Sequence, residues 1–395
     1  MALDRDLQLN ALLGITQAIN NNLSEDDLFR IYKFTLLGDL KVAKMALFVR
    51  YEGEWEYRVH LGTEHNWTDF SLDDRFDNIQ EEFSVDSNAG HFGEFEKVFP
   101  ILHKDKVLAL LFMSEVEQLF KSGVEDLTFV KALTNIIIVA VENKRMAREQ
   151  HAQEAYKKEL EIANKIQHFL FPKTLPQSPE INVEAFYLPH HNVGGDYYDY
   201  IKITEKKFLI CVADVSGKGV PAALLMSNFQ ATLRVLIRRT TDLQEIVREL
   251  NRSTYLSGNG EHFITFFLGI YDFDLKTFEY INCGHNPLYL VVNGACESMN
   301  KGTTVLGMFE PLPFLESETL HHLEEFVFFG FTDGLTETFN AEDEQFGEER
   351  LEKLLCENSD ATILHNTILE ELDAFRGDIP YSDDITMLTC RVVNK

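Results

Sequence analysis

Four aspartates in the second half of the chain stand where strands should be burying apolar side chains. Asp196 follows Gly194-Gly195, immediately before an aromatic strand. Asp214 ends the apolar run 208–213 and leads into Val215-Ser216-Gly217-Lys218-Gly219. Asp333 lies just past the strand at 326–331 and is followed by Gly334. Asp383, with Asp384 beside it, directly precedes Ile385-Thr386-Met387-Leu388. If these four strand ends meet, the site gathers several like charges, which a cation has to offset. Oxygen-only ligands without His or Cys favour a hard ion, Mg²⁺ or Mn²⁺. Two such ions sharing a carboxylate can activate a bridging water and neutralise phosphate oxygens during an in-line attack.

Other reactive side chains have plainer readings. An Asp-Gly pair alone is usually a turn. Gly217 and Gly219 flank Lys218 ahead of Pro221, but the spacing of a Walker phosphate loop is absent, so these glycines read as backbone freedom beside Asp214. Cys283-Gly284-His285-Asn286-Pro287 reads as a turn between strands rather than the seat of a catalytic histidine. Cys211 lies inside an apolar strand and reads as an inert core thiol. Ser216 has no His partner in sequence range.

The elements that must position these residues follow from hydrophobic spacing. Strands are expected at 181–188, 197–203, 208–215, 263–271, 277–283, 288–292, 325–331 and 385–392, and helices at 221–239, 243–255, 347–356 and 361–375. Strands, then paired helices, then more strands predict helices covering an antiparallel sheet sandwich rather than an alternating parallel fold.

Ahead of this region the chain reads as a mixed α+β segment. Leu9, Leu12, Leu13, Thr16 and Ile19 recur at helical spacing, and Ser24 with Asp27 is a capping-box-like start for a second helix. Two hairpins are expected, one around Glu52-Gly53-Glu54 and one around Lys104-Asp105-Lys106. Ser122 is the expected cap of a further helix carrying Leu127, Val130, Leu133, Ile137 and Val141. From Glu142 to Phe171 there is no Gly or Pro. Met146, Glu149, Gln153, Tyr156, Leu160, Ala163, Gln167 and Leu170 follow the alternating steps of a coiled coil, with three polar seam positions, while Ile162, Ile166 and Phe169 form a second stripe. A solvated connecting helix and a dimerising, signal-carrying helix both fit. The expected organisation is therefore a domain over 1–141, a helical linker over 142–171 and a sandwich domain over 172–395.

Composition narrows the function classes. The 395 residues carry 36 Lys and Arg against 64 Asp and Glu, a net charge of −28. Such a charge disfavours nucleic acid and anionic membrane surfaces as partners. No signal-peptide pattern opens the chain, and the longest apolar stretch, at 107–113, is far shorter than the roughly 20 residues of a membrane-spanning helix. Five scattered cysteines without a CxxC pair are expected to be buried free thiols in a reducing cytosol.

Taken in order, VGGDYYDY, VADVSGKGVPAALLM, CGHNPLYL, GFTDGLTETFN with EQFGEERL, and SDDITMLTCRV resemble the SpoIIE/RsbU branch of the PPM-type metal-dependent Ser/Thr protein phosphatases. ANKIQHFLFPKTLP is similar to the segment leading into that domain, so the resemblance runs from about Leu160 to the C-terminus. It implies an αββα fold with a two-metal centre (Mn²⁺ or Mg²⁺) between the sheets. By position, Asp196, Asp214, Asp333, Asp383 and the Val215 carbonyl would be the ligands, with Asp214 bridging. Asp384 is a separate question, because adjacent side chains on a strand point oppositely. The implied activity is hydrolysis of phosphoserine or phosphothreonine on a partner protein, in this branch a STAS-domain anti-sigma-factor antagonist. The order of elements in 1–141 resembles a GAF-type sensor, without the ligand signature of the cyclic-nucleotide-binding kind. The competing reading is a non-catalytic phosphatase-fold scaffold. Against it, all four Asp-bearing motifs are intact.

Overall fold

The computed structural model describes residues 5–40, 42–63, 67, 72, 76, 79–86, 90–104, 106–114, 124–258, 260–357 and 361–394. Contacts divide the chain into two compact units, Met1–Ala155 and Tyr156–Lys395.

In the first unit, α1 (Arg5–Asn20) is followed by α2 (Glu25–Gly38). The Ser24 hydroxyl accepts a hydrogen bond from the Asp27 amide at 3.1 Å, satisfying one of the donors a helix start leaves free. Strands β1 (Met45–Tyr51) and β2 (Glu54–Leu61) form the first hairpin. Its turn puts Glu52 at φ 49° and Gly53 at φ 91°, the left-handed pair that matches strand twist. Strands β3 (Phe83–Ser84), β4 (Lys97–His103) and β5 (Lys106–Met113) complete an antiparallel sheet in the order β2-β1-β5-β4-β3. One face packs Leu47, Val59 and Leu111 against Tyr32, Leu36 and Ile137 of the helices. The other buries Phe48, Phe112 and Trp67.

Helix α3 runs unbroken over Val124–His168, across the boundary between the units. Its first half carries the buried stripe Val130, Leu133, Ile137 and Val141. Ser122, its expected cap, lies outside the described residues. Arg145 is buried and hydrogen-bonded to Glu25, and Lys144 Nζ donates to the Leu23 carbonyl at 2.5 Å. Farther along, Tyr156, Ile162 and Ile166 are exposed.

The second unit is an αββα sandwich. In chain order it contains β6 (Ile181–Leu188), β7 (Tyr197–Lys202), β8 (Lys207–Val215), α4 (Val220–Leu236), α5 (Leu243–Gly258), β9 (Ile264–Asp272), β10 (Thr277–Cys283), β11 (Leu288–Val292), β12 (Ala295–Met299), β13 (Gly302–Thr303), β14 (Glu318–Leu320), β15 (Glu325–Phe331), α6 (Asp333–Thr336), α7 (Glu348–Glu357), α8 (Ala361–Arg376) and β16 (Ile385–Val393). One sheet has the order β13-β10-β9-β8-β7, with β14 beside β10, and the other β12-β11-β15-β16-β6.

Strand β8 explains why its apolar run is unbroken. Phe208, Ile210 and Val212 join the core between the sheets, while Leu209, Cys211 and Ala213 pack against Phe229 and Leu233 of α4 and Ile246 of α5. Both faces are covered, so alternation with polar residues is lost. Across the sandwich, Phe267 meets Phe328 at 5.5 Å between ring centroids and Tyr271 meets Phe326 at 5.1 Å.

Two expectations are corrected. The short strands β3, β12, β13 and β14 have no counterpart in the sequence reading. The cysteines are not all buried: Cys211, Cys283 and Cys390 are, but Cys296 is half-buried on β12 and Cys356 exposed on α7, their sulfurs 2.7 Å apart.

Candidate metal centre

Strand topology gathers the acidic motifs at one end of the sandwich. Asp196 immediately precedes β7 and Asp214 is the penultimate residue of β8. These strands pair antiparallel, with Tyr197 opposite Ala213. From the facing sheet, Asp333 opens α6 just past β15, and Asp383 and Asp384 directly precede β16. Strands β15 and β16 are themselves paired, with Phe331 opposite Met387.

Asp196 is buried, and its Oδ2 accepts hydrogen bonds from Thr332 Oγ1 and Thr386 Oγ1, both at 2.6 Å. Burial, and then repulsion from Asp214 and Asp384, hold the Asp196 carboxyl well above the usual carboxylate range. Burial followed by the charges of Asp333, Asp383 and Asp384 pushes Asp214 up to about 7. Burial, then Glu337 and Asp383, raises Asp333. Like charges in a low-dielectric site thus resist ionisation together, and a divalent cation is the group that would relieve them.

The last two aspartates divide their work. Asp383 is half-exposed and faces Lys218, whose Nζ lies 2.7 Å from its Oδ2 and 3.0 Å from the Ser382 carbonyl. That contact, and then the neighbouring aspartates, raises the Lys218 ammonium. Asp384 turns instead toward the 190–195 loop. Its Oδ1 accepts from the His190 amide and its Oδ2 from the Gly195 amide, both at 2.8 Å. Asp384 therefore pins the 190–195 loop that carries Asp196 into place.

Gln167, near the end of α3, pins the same loop from another side. Its Nε2 donates to the Gly194 carbonyl at 2.7 Å and its Oε1 accepts from the Gly194 amide at 3.2 Å. The sequence reading made Gln167 a polar seam position; here it is a buried anchor of the glycine loop. Close approach explains the glycines: a Cβ on Gly195 would lie 2.8 Å from the Val215 carbonyl oxygen, and one on Gly334 would collide with the Asp384 carbonyl.

All donors at this end are oxygens, which fits a hard divalent cation. Among the described residues, no three His, Cys, Asp or Glu side chains already converge on one point. One reason is visible in the contacts: Asp383 is engaged by Lys218. The oxygen donors of these residues fit such a cation, with Lys218 the group it would displace from Asp383. Elsewhere, His285 is buried, its Nε2 3.0 Å from the Phe331 carbonyl and its Nδ1 2.7 Å from Thr265 Oγ1. Ser216 Oγ accepts from the Phe263 amide at 2.9 Å. Burial drives the Cys211 thiol far up.

Thr332, Thr386, Gln167 and the Lys218–Asp383 pair were missed at the level of sequence. Thr332 stands directly beside Asp333 and Thr386 within the Asp383 motif, but hydroxyls carry no charge pattern that marks them in advance.

Two helix-covered sheets therefore carry an acidic cluster where the ends of both meet. Residues 204–393 match the family model described as Stage II sporulation protein E (SpoIIE). Among curated proteins, the chain is 30% identical over 261 residues to Protein IcfG of Synechocystis, covering 58% of this chain and 41% of that protein. It is 28% identical over 296 residues to Phosphoserine phosphatase RsbU of Bacillus subtilis, covering 72% and 84%. The chain thus spans less than half of IcfG and most of RsbU. Among solved structures, the SiaA-PP2C domain of Pseudomonas aeruginosa superposes with a TM-score of 0.55 at 21% identity, over 61% of this chain and 98% of that one, a likeness of fold.

Proposed function

We propose that the protein is a metal-dependent phosphoserine/phosphothreonine protein phosphatase in bacterial signalling. The observation that carries this reading is the meeting of Asp196, Asp214, Asp333 and Asp383 at one end of the sandwich, with carboxyls whose mutual repulsion calls for cations. The name of its relative RsbU, a phosphoserine phosphatase, supports the substrate class. Two Mn²⁺ or Mg²⁺ ions held by these aspartates and the Val215 carbonyl would supply an activated water and charge neutralisation for the phosphoryl oxygens. The chain's own part is to hold the acidic side chains in register. Asp384 and Gln167 fix the 190–195 loop, the β15–β16 pairing sets Asp333 and Asp383 side by side, and Lys218 balances charge at the mouth.

The substrate we favour is a phosphorylated STAS-domain anti-sigma-factor antagonist. The first unit is read as a GAF-like sensor. Its antiparallel sheet, covered by helices on one face, supports that reading. The unbroken α3, with Tyr156, Ile162 and Ile166 exposed, supports a homodimer that carries the signal. Free thiols fit a reducing cytosol. Among the described residues no helix is long and apolar enough to cross a membrane. The test is phosphate release from a serine-phosphorylated STAS domain with Mn²⁺, Mg²⁺ or chelator. The reading expects turnover with metal and none with chelator. Metal-independent turnover, or none in the full chain and none in Tyr156–Lys395 alone, would contradict it. Insertion of glycines near Ala155 is expected to leave turnover but sever its control by the first unit.

A further inference from the structure

Two threonines join the ends of the acidic strands to Asp196 across the sandwich. Thr332 follows β15 and Thr386 lies in β16, and both are buried. They first pair with each other: the Thr332 amide donates to the Thr386 carbonyl at 3.1 Å, and the Thr386 amide donates to Thr332 Oγ1 at 3.0 Å. That second bond fixes the Thr332 hydroxyl. With its oxygen accepting from the amide, its proton is left to donate to Asp196 Oδ2 at 2.6 Å. Thr386 Oγ1 donates to the same oxygen at 2.6 Å. One carboxylate oxygen of a buried aspartate from one sheet thus takes two hydroxyl donors from the other sheet. The second oxygen, Oδ1, receives neither.

On the reading of this end as a metal centre, we propose that Thr332 and Thr386 are positioning residues that lock the Asp196 carboxylate through Oδ2 and reserve Oδ1 for a divalent cation. The arrangement does two things that a lone aspartate could not. It stops the carboxylate from rotating toward two-oxygen coordination, and it ties Asp333 and Asp383, one and three residues away along the chain, to the orientation of Asp196. Partners that orient metal ligands in this way typically change metal affinity about 10- to 100-fold when removed.

The test uses the full chain and Mn²⁺ alone, with affinity measured by calorimetry and by the electron paramagnetic resonance of free Mn²⁺. Thr332→Val and Thr386→Val keep the shape and delete the hydroxyls. Each is expected to weaken Mn²⁺ binding about 10-fold or more, while Thr332→Ser and Thr386→Ser, which keep the donor, stay within about threefold of the parent. Unchanged affinity in the valine variants would overturn the proposal. So would a loss in the serine variants as large as in the valine ones, since a role in packing alone would depend on the methyl group. The serine variants keep the test decisive if a valine variant fails to fold. Absence of Mn²⁺ binding to the parent chain is a different outcome: it would overturn the metal-centre reading itself, and this proposal with it.

Discussion

His285 illustrates how a residue of reactive type serves the fold. The Phe331 carbonyl can only accept, so Nε2 carries the proton and Nδ1 accepts from the Thr265 hydroxyl. Burial lowers this imidazole to about 4, well below its ordinary value. The unfolded chain protonates the same ring near pH 6.5, so between those values the unfolded state binds more protons. The stability that the neutral ring contributes is complete above about pH 6.5 and is lost as pH falls toward 4, reaching about 2 kcal/mol by pH 5. His365 is lowered to about 4 by burial as well and adds in the same direction. In denaturant unfolding, going from pH 7 to pH 5 is therefore expected to cost the parent more stability, or to gain it less against the opposing raised carboxyls of Asp196 and Asp214, than it does His285→Gln. An equal difference in the variant would contradict the assignment.

Among the elements, α3 and α4 are fastened to the strands that bear the acidic residues. Arg234 of α4 donates through Nε at 2.8 Å and Nη2 at 3.1 Å to the fully buried Asp199 of β7, which also accepts from Tyr197 Oη at 2.5 Å. Even so paired, Asp199 is raised above the usual carboxylate range by burial. Arg234→Leu leaves that carboxylate buried without its cation and is expected to cost about 3–5 kcal/mol in urea unfolding, with Asp199→Asn restoring part of the loss. Gln167→Leu strips the Gly194 amide and carbonyl of their partner and is expected to cost about 1–3 kcal/mol.

These attachments mark the limit of what the sequence made legible. Strands such as β6, β10, β11 and β15 were readable to the residue because long apolar runs and turn residues bound them. Asp196, Asp214, Asp333 and Asp383 stood out because a charge at the end of an apolar strand conflicts with burial. The Asp199–Arg234 pair, the two threonines and Gln167 did not. Each acquires its role only from strand register or from a helix end meeting a loop far away in sequence, and none departs from local pattern. The edge strands β12, β13 and β14 were invisible for a related reason: they are short and pair at the margin of a sheet, with little apolar surface of their own.

At the scale of the whole molecule, a chain of net charge −28 concentrates part of that charge at one end of a sandwich whose core is otherwise apolar and aromatic. Such a cluster is costly to the metal-free fold, and the proposed cations turn that cost into binding energy. The measurement that tests this most directly is a paired one on the parent chain and Asp214→Asn: Mn²⁺ affinity, and Mn²⁺-dependent phosphate release from a phosphoserine peptide. The substitution removes the charge at the centre of the cluster while keeping the size of the side chain. The account predicts Mn²⁺ binding and turnover in the parent, and in Asp214→Asn a loss of at least about 100-fold in both. Turnover at the parent rate in Asp214→Asn, or Mn²⁺ bound equally well by the two proteins, would contradict it.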